Sequence, residues 1–272
     1  MTYEEIPKFS ILAKDGNARV GELSTSRHTL KTPVFMPVGT RGAVRTITSQ
    51  DLEELGADIV LGNTYHLMLR PGEELIKKFK GLHGFSNWHR LILTDSGGYQ
   101  VFSLEPDVDD DGVTFKSTYD GSLHRLTPEK AVEIQNALGS DIQMALDVCP
   151  PLPADKEIIE LAVERTNSWA LRARKHFLKT SFDSPNQHAQ FGIAQGGLDL
   201  NLRKKSAEQI VEIGFDGYAI GGLSVGETRE EMLDPMKESV KYLPRERPRY
   251  FMGLGDPAGL VEAIFSGIDM FD

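Results

Sequence analysis

Three aspartates close short apolar runs in this chain: Asp95 ends LILTD (91–95), Asp147 ends DIQMALD (141–147) and Asp272 ends IDMFD (268–272). Asn63 ends DIVLGN (58–63), Gln195 lies in QFGIAQG (190–196), Gly221 and Gly222 end GYAIGG (217–222), and Met252 lies in RYFMGLG (249–255). Two carboxylates facing one anomeric carbon suit glycosyl chemistry, one as nucleophile and the other as proton donor and acceptor. Asp147, the amide of Gln195 and the backbone N–H of Gly222 together offer acceptors and donors that match the edge of a purine. Tyr99 and Met252 can cover the faces of a flat ring. Each residue also has a plainer reading. A strand-end Asp is often a helix N-cap, Gly97-Gly98 can simply make a tight turn, and Tyr99 and Met252 can be packing. Their number at separate strand ends favours the chemical reading. His66 reads more readily as a structural histidine than as a catalyst. No metal site is expected: the seven histidines show no ligand spacing and Cys149 stands alone.

These positions require elements to bring them together. An eighth apolar run, PVFMPV (33–38), opens the series. Continuous apolar strands suit a parallel sheet covered on both faces. Helical patterns lie between them at 155–178, 199–213, 228–241 and 257–266. Thr48 and Thr127-Pro128 supply two further helix starts. Eight strands alternating with helices, without a dinucleotide fingerprint, predict a (β/α)8 TIM-type barrel of α/β class. Residues 1–272 are expected to form this single domain. In such a barrel the active site gathers at the C-terminal ends of the strands. Two stretches break the pattern: a small N-terminal hairpin at 9–24, suited to plugging the barrel floor, and an inserted hairpin at 105–126 with its turn at Asp120-Gly121. The run Asp109-Asp110-Asp111 reads as a solvated loop tip. It lacks the spacing and closing Glu of an EF-hand. The last strand is followed by no helix, so the expected barrel lacks its eighth helix and is read as C-terminally truncated.

One cysteine excludes internal disulfides and fits a reducing, cytoplasmic setting. The N-terminus has early acids and no apolar run, so it reads as neither a signal nor a transit peptide. No stretch approaches the roughly 20 apolar residues of a membrane span. The net charge of −10 speaks against a broad nucleic-acid-binding surface, unless basic residues are concentrated locally.

Longer strings then carry a resemblance. LGNTYHLMLRPG (61–72), TDSGGYQVFSL (94–104), GVTFKSTYDGS (112–122), FGIAQGG (191–197), IGFDGYAIGGLSVGE (213–227) and GIDMFD (267–272) resemble the bacterial tRNA-guanine transglycosylase family, in the family's order and over nearly the whole chain. The resemblance implies that Asp272 is the nucleophile attacking the ribose of the wobble guanosine, forming a covalent intermediate. It implies that Asp95 is the general acid/base, and that Asp147, Gln195 and Gly222 read the base. It assigns the carbonyl of Leu223 to the aminomethyl group of the incoming base, and Tyr99 and Met252 to its two faces. The implied partners are GUN-anticodon tRNAs and 7-aminomethyl-7-deazaguanine, the precursor of queuosine. Alternatives are a queuine-salvaging relative and a noncatalytic deazaguanine-binding barrel. Val225 and Cys149 agree with the bacterial pocket, whereas Val148 stands where the family usually has Glu, with Glu227 a possible substitute. The family's structural zinc, held by three Cys and one His, belongs to a C-terminal segment absent here, so no cofactor is expected in this chain. Family members act as homodimers, with part of the contact in that zinc region.

Overall fold

The computed structural model describes residues 7–181 and 188–272. Its central sheet is parallel and has nine strand segments. The two segments at its edges, Val34–Phe35 and Val38–Gly39, are pieces of one extended stretch. The first pairs with Met270–Phe271 and the second with Ile59–Gly62. The sheet therefore closes on itself. Its remaining segments are Leu91–Thr94, Ile142–Met144, Ala189–Ala194, Gly217–Ile220 and Arg249–Phe251. Since the two edge segments count once, the ring has eight strands, as the apolar runs predict. This is the TIM-type barrel.

Helices cover the outside where their starts are coded. Thr48 caps Ser49–Glu54 in a capping box with Asp51. Thr127 caps Pro128–Leu138, with proline in the first turn. Thr228 and Glu231 form a second capping box on Arg229–Tyr242. The long helix runs from Lys156 to Ser181, three residues beyond the expected end. Two apolar layers result. Between strands and helices lie residues such as Val132, Phe215, Ile220 and Met236. Inside the barrel, Met36, Leu61, Leu93, Met144, Ile193 and Tyr250 fill the axis.

Both accessory hairpins gain a third strand. Lys8–Asp15, Ala18–Ser24 and Thr29–Thr32 form one antiparallel sheet. Its Leu23 and Leu30 are buried against the barrel's inner layer. Asp107–Val108 joins Val113–Lys116 and Leu123–Leu126 in the other. The added strands are short and half polar, so alternation alone does not reveal them. The Asp109-Asp110-Asp111 tip is solvent-exposed and also docked. Arg125 binds the carboxylate of Asp109, and Trp169 Nε1 donates to the carbonyl of Asp110 at 2.8 Å. Residues 1–6, at the head of the N-terminal stretch, lie outside the described residues. Among the described residues no helix is long and apolar enough to cross a membrane.

The two ends of the barrel use aspartate differently. Asp58, Asp141 and Asp269 stand just ahead of their strands and are tied into the floor. Arg19 of the N-terminal sheet binds both oxygens of Asp269, at 2.8 and 2.5 Å. Asp141 accepts from Arg27, His83 and the N–H of Ile92 at 2.8 to 3.0 Å. Asp58 accepts from Arg90 at 2.8 Å. A buried carboxylate held by cations and N–H groups has a structural role. Asp95, Asp147 and Asp272 stand at the other end and have no such cations.

Candidate active site

Asp95, Asp147 and Asp272 line one cavity of about 340 Å³ at the C-terminal mouth of the barrel. Gly222, Leu223, Tyr99 and Met252 also line it, together with Cys149, Val225 and Tyr250. Seven of the eight residues marked by the sequence thus meet at one hollow. Gln195, the eighth, stands behind Asp147.

Asp95 is fixed by its neighbours on the second strand. Its Oδ1 accepts from the N–H of Thr64 at 2.7 Å and of Gly97 at 3.1 Å, and its Oδ2 accepts from Asn63 Nδ2 at 2.6 Å. Asn63 also caps the helix Thr64–Leu69. Burial nonetheless pushes the Asp95 carboxyl up to about 7, helped by the negative charges of Asp272 and Asp147. A carboxyl in that range can hold or release a proton near neutrality.

Asp272 is anchored from the seventh strand. Its Oδ1 accepts from the phenol of Tyr250 at 2.5 Å and the N–H of Gly253 at 2.8 Å. Burial raises its pKa and these two donors oppose the rise. Tyr250 is itself held protonated by burial and by the neighbouring carboxylate, so it donates. No motif marks Tyr250. The signal available in the sequence is its position two residues before Met252, on the inward-facing phase of the same strand.

Asp147 is 5% exposed and sits deepest of the three. Its Oδ2 accepts from Gln195 Nε2 at 2.7 Å, and its Oδ1 from Ser96 Oγ at 3.2 Å. Burial still lifts it to about 6. Gln195, 1% exposed, therefore orients the carboxylate from behind. Glycines make room for this packing. A Cβ on Gly98 would lie 2.9 Å from the carbonyl of Asp147, and one on Gly222 would lie 2.1 Å from Gln195 Oε1. Gly222 also has φ of +64°, which favours glycine.

A buried arginine holds the sixth-strand turn. Arg203 donates to the carbonyls of Gly197 at 2.7 Å, Ala194 at 3.3 Å, Gly221 at 2.7 Å and Gly222 at 2.8 Å. It lies within the helix Leu200–Ile213, beside Lys204 and Lys205, so its charge alone does not single it out.

The upper wall is apolar. Tyr99 is 58% exposed at the mouth. Burial pushes the Cys149 thiol up to about 12, which leaves it protonated and unsuited to nucleophilic work. Val148 turns into the strand–helix layer and donates its N–H to Thr166 at 3.0 Å. Glu227 accepts from the N–H groups of Ser224 and Val225, so its carboxylate caps that loop. His66 binds Tyr119 through Nδ1 at 2.9 Å, consistent with a structural histidine. Among the described residues no group of three or more His, Cys, Asp or Glu side chains is arranged to hold a metal.

Residues 14–272 match the sequence profile of the family described as queuine tRNA-ribosyltransferase. The queuine tRNA-ribosyltransferase of Thermotoga neapolitana is 55% identical over 266 residues, covering 97% of this chain and 70% of that protein. That of Thermoanaerobacter sp. is 50% identical over 269 residues, with the same 97% and 70% coverage. That of Thermotoga maritima is 52% identical over 266 residues, again with 97% and 70% covered. A profile spanning almost the whole chain and identities of this size leave one assignment: the chain belongs to the queuine tRNA-ribosyltransferase family.

Proposed function

We propose that this chain is a tRNA-guanine transglycosylase that exchanges the wobble guanine of GUN-anticodon tRNAs for 7-aminomethyl-7-deazaguanine through a covalent aspartyl intermediate. Family membership makes it a glycosyltransferase acting on tRNA. The observation that supports the finer reading is the meeting of Asp95 and Asp272 on one cavity, above a buried carboxylate suited to a purine edge.

In this reading an oxygen of Asp272 attacks ribose C1′. The bond from C1′ to guanine N9 breaks, and Asp95 supplies the proton that N9 takes up. The incoming base then returns an N9 proton to Asp95 and attacks C1′. The ester bond to Asp272 breaks and the carboxylate is restored. Asp147 accepts from the ring N–H and amino group of the base, while the N–H of Gly222 faces its carbonyl. Tyr99 and Met252 cover the ring faces. Gln195 contributes by aiming Asp147. The chemistry and the single reduced cysteine suit the cytoplasm.

The deciding experiment incubates the chain with a GUN-anticodon tRNA and looks for an adduct that survives denaturing electrophoresis. Asp272→Asn is expected to abolish the adduct while calorimetric binding of the free base persists. An adduct retained by that variant would remove Asp272 from the nucleophile's role.

A further inference from the structure

We propose that Arg41, Arg70 and Tyr119 form a docking point for the phosphodiester backbone of the RNA beside the exchanged nucleotide. This rests on the reading of the chain as a tRNA-modifying enzyme.

The three residues come from separate loops on the catalytic rim. Arg41 follows the first barrel strand, Arg70 ends the helix Thr64–Leu69, and Tyr119 tips the inserted sheet. The guanidinium of Arg41 lies 5.4 Å from the centre of the Tyr119 ring, and that of Arg70 lies 4.7 Å from it. Such contacts hold the planar face of a guanidinium against the ring and leave its N–H edges open. Both arginines are exposed.

Both arginines face solvent with no acid paired to them among the described residues. The chain has a net charge of −10, and acids neutralise many of its arginines. Arg19, Arg27, Arg90, Arg125 and Arg174 each bridge to an aspartate. Among the described residues, Arg41 and Arg70 have no carboxylate partner. The nearest acid in sequence to Tyr119 is Asp120, whose carboxylate is occupied by Ser122 at 2.6 and 3.1 Å. Two uncompensated guanidiniums on one aromatic ring, in a chain otherwise rich in acids, fit an anionic partner that arrives from solution. At this rim the RNA backbone is that anion.

The docking point is also linked to the chemistry. His66 Nδ1 meets the hydroxyl of Tyr119 at 2.9 Å. Two residues earlier on the same helix, the N–H of Thr64 donates to Asp95 at 2.7 Å. One short helix thus carries both the brace of the docking ring and the clamp on the proposed acid/base. A phosphate seated on the two arginines would be fixed in register with Asp95.

The test measures binding of a labelled anticodon stem-loop by fluorescence anisotropy across a salt series, with Arg41→Gln, Arg70→Gln and the double variant. The double variant is expected to bind about tenfold more weakly, and its log K against log salt slope should fall by roughly 0.7 per lost contact. Binding of the free base should not change, which also confirms that the fold is intact. Arg41→Lys with Arg70→Lys should restore most of the salt slope. Binding by the double variant within twofold of the parent, or no measurable binding by the parent itself, would overturn the proposal. A parent chain that binds the stem-loop yet never exchanges its base would count against the proposed reaction and leave the docking point standing.

Discussion

The phenol of Tyr250 donates to Oδ1 of Asp272 at 2.5 Å, from the inward face of the neighbouring strand. This bond favours the ionised form of Asp272, against the burial that disfavours it. Tyr250→Phe removes the donor and leaves the ring in place. Asp272 should then titrate at higher pH, so the acid limb of adduct formation should move upward. The maximal rate should fall by about tenfold to a hundredfold, the range expected for losing a hydrogen bond to a charged group. Single-turnover rates measured from pH 5 to 8 check both effects. An unchanged acid limb would show that the phenol only packs.

In the proposed reaction Asp95 is protonated when guanine leaves and ionised when the incoming base attacks. With its carboxyl pushed up to about 7, the two half-reactions should respond to pH in opposite directions. Adduct formation should slow as pH rises above about 7, because the acid is lost. Release of the adduct by added base should speed up over the same interval, because the proton acceptor appears. Rapid-quench measurements of each half-reaction at pH 6, 7 and 8 test this. Parallel responses would remove Asp95 from both roles.

Asp147 makes a prediction about stability. Its folded pKa of about 6 lies above the ordinary carboxylate range because of burial. A raised folded value means that the folded protein holds a proton that the unfolded chain has released. Stability is therefore lost as pH rises from about 4 to about 6, and is level above that window. Asp147→Asn removes the titration. The amide can accept from Gln195, and it can donate to the rotatable hydroxyl of Ser96. The variant should melt higher than the parent above pH 6, by an amount on the order of 2 kcal/mol, and the advantage should vanish near pH 4. Its affinity for the base should collapse, because an amide cannot accept from two donors as the carboxylate does. Thermal melts at pH 4, 6 and 8, with base titrations, read both effects.

The barrel was legible because each strand is a continuous apolar run and each long helix carries a coded start, as at Thr48 and Thr127. The three acids were legible for a geometric reason: the residue that ends a parallel strand faces the same mouth on every strand. Gln195 marks where that reasoning stops. Its position predicts the rim, but the direction of its amide is set by Asp147, a partner 48 residues away. Tyr250 and Arg203 were silent for the same reason. Tyr250's partner lies 22 residues away, and the two glycine carbonyls that Arg203 holds at the cavity lie 18 and 19 residues away, with no local pattern to announce the contacts. The third strands of the accessory sheets escaped because Asp107–Val108 and Thr29–Thr32 are too short for a period to register.

Arg203 gives the clearest separation between folding and chemistry. Its guanidinium is fully buried and donates to four carbonyls on the fifth- and sixth-strand turns. Burial lowers its pKa to about 9, which still leaves it cationic at neutral pH. Two of those carbonyls belong to Gly221 and Gly222, which line the cavity beside Asp147. Lysine at this position offers a point charge in place of a planar fork and cannot span all four acceptors. Arg203→Lys should therefore leave buried carbonyls unpaired, at about 1–3 kcal/mol each. Unfolding by urea should show that loss. The variant that remains folded should bind the free base at least about tenfold more weakly, because a few tenths of an ångström at Gly222 displace the N–H proposed to face the base carbonyl. Base affinity equal to the parent's in a folded Arg203→Lys variant would show that the turn holds its shape without the arginine.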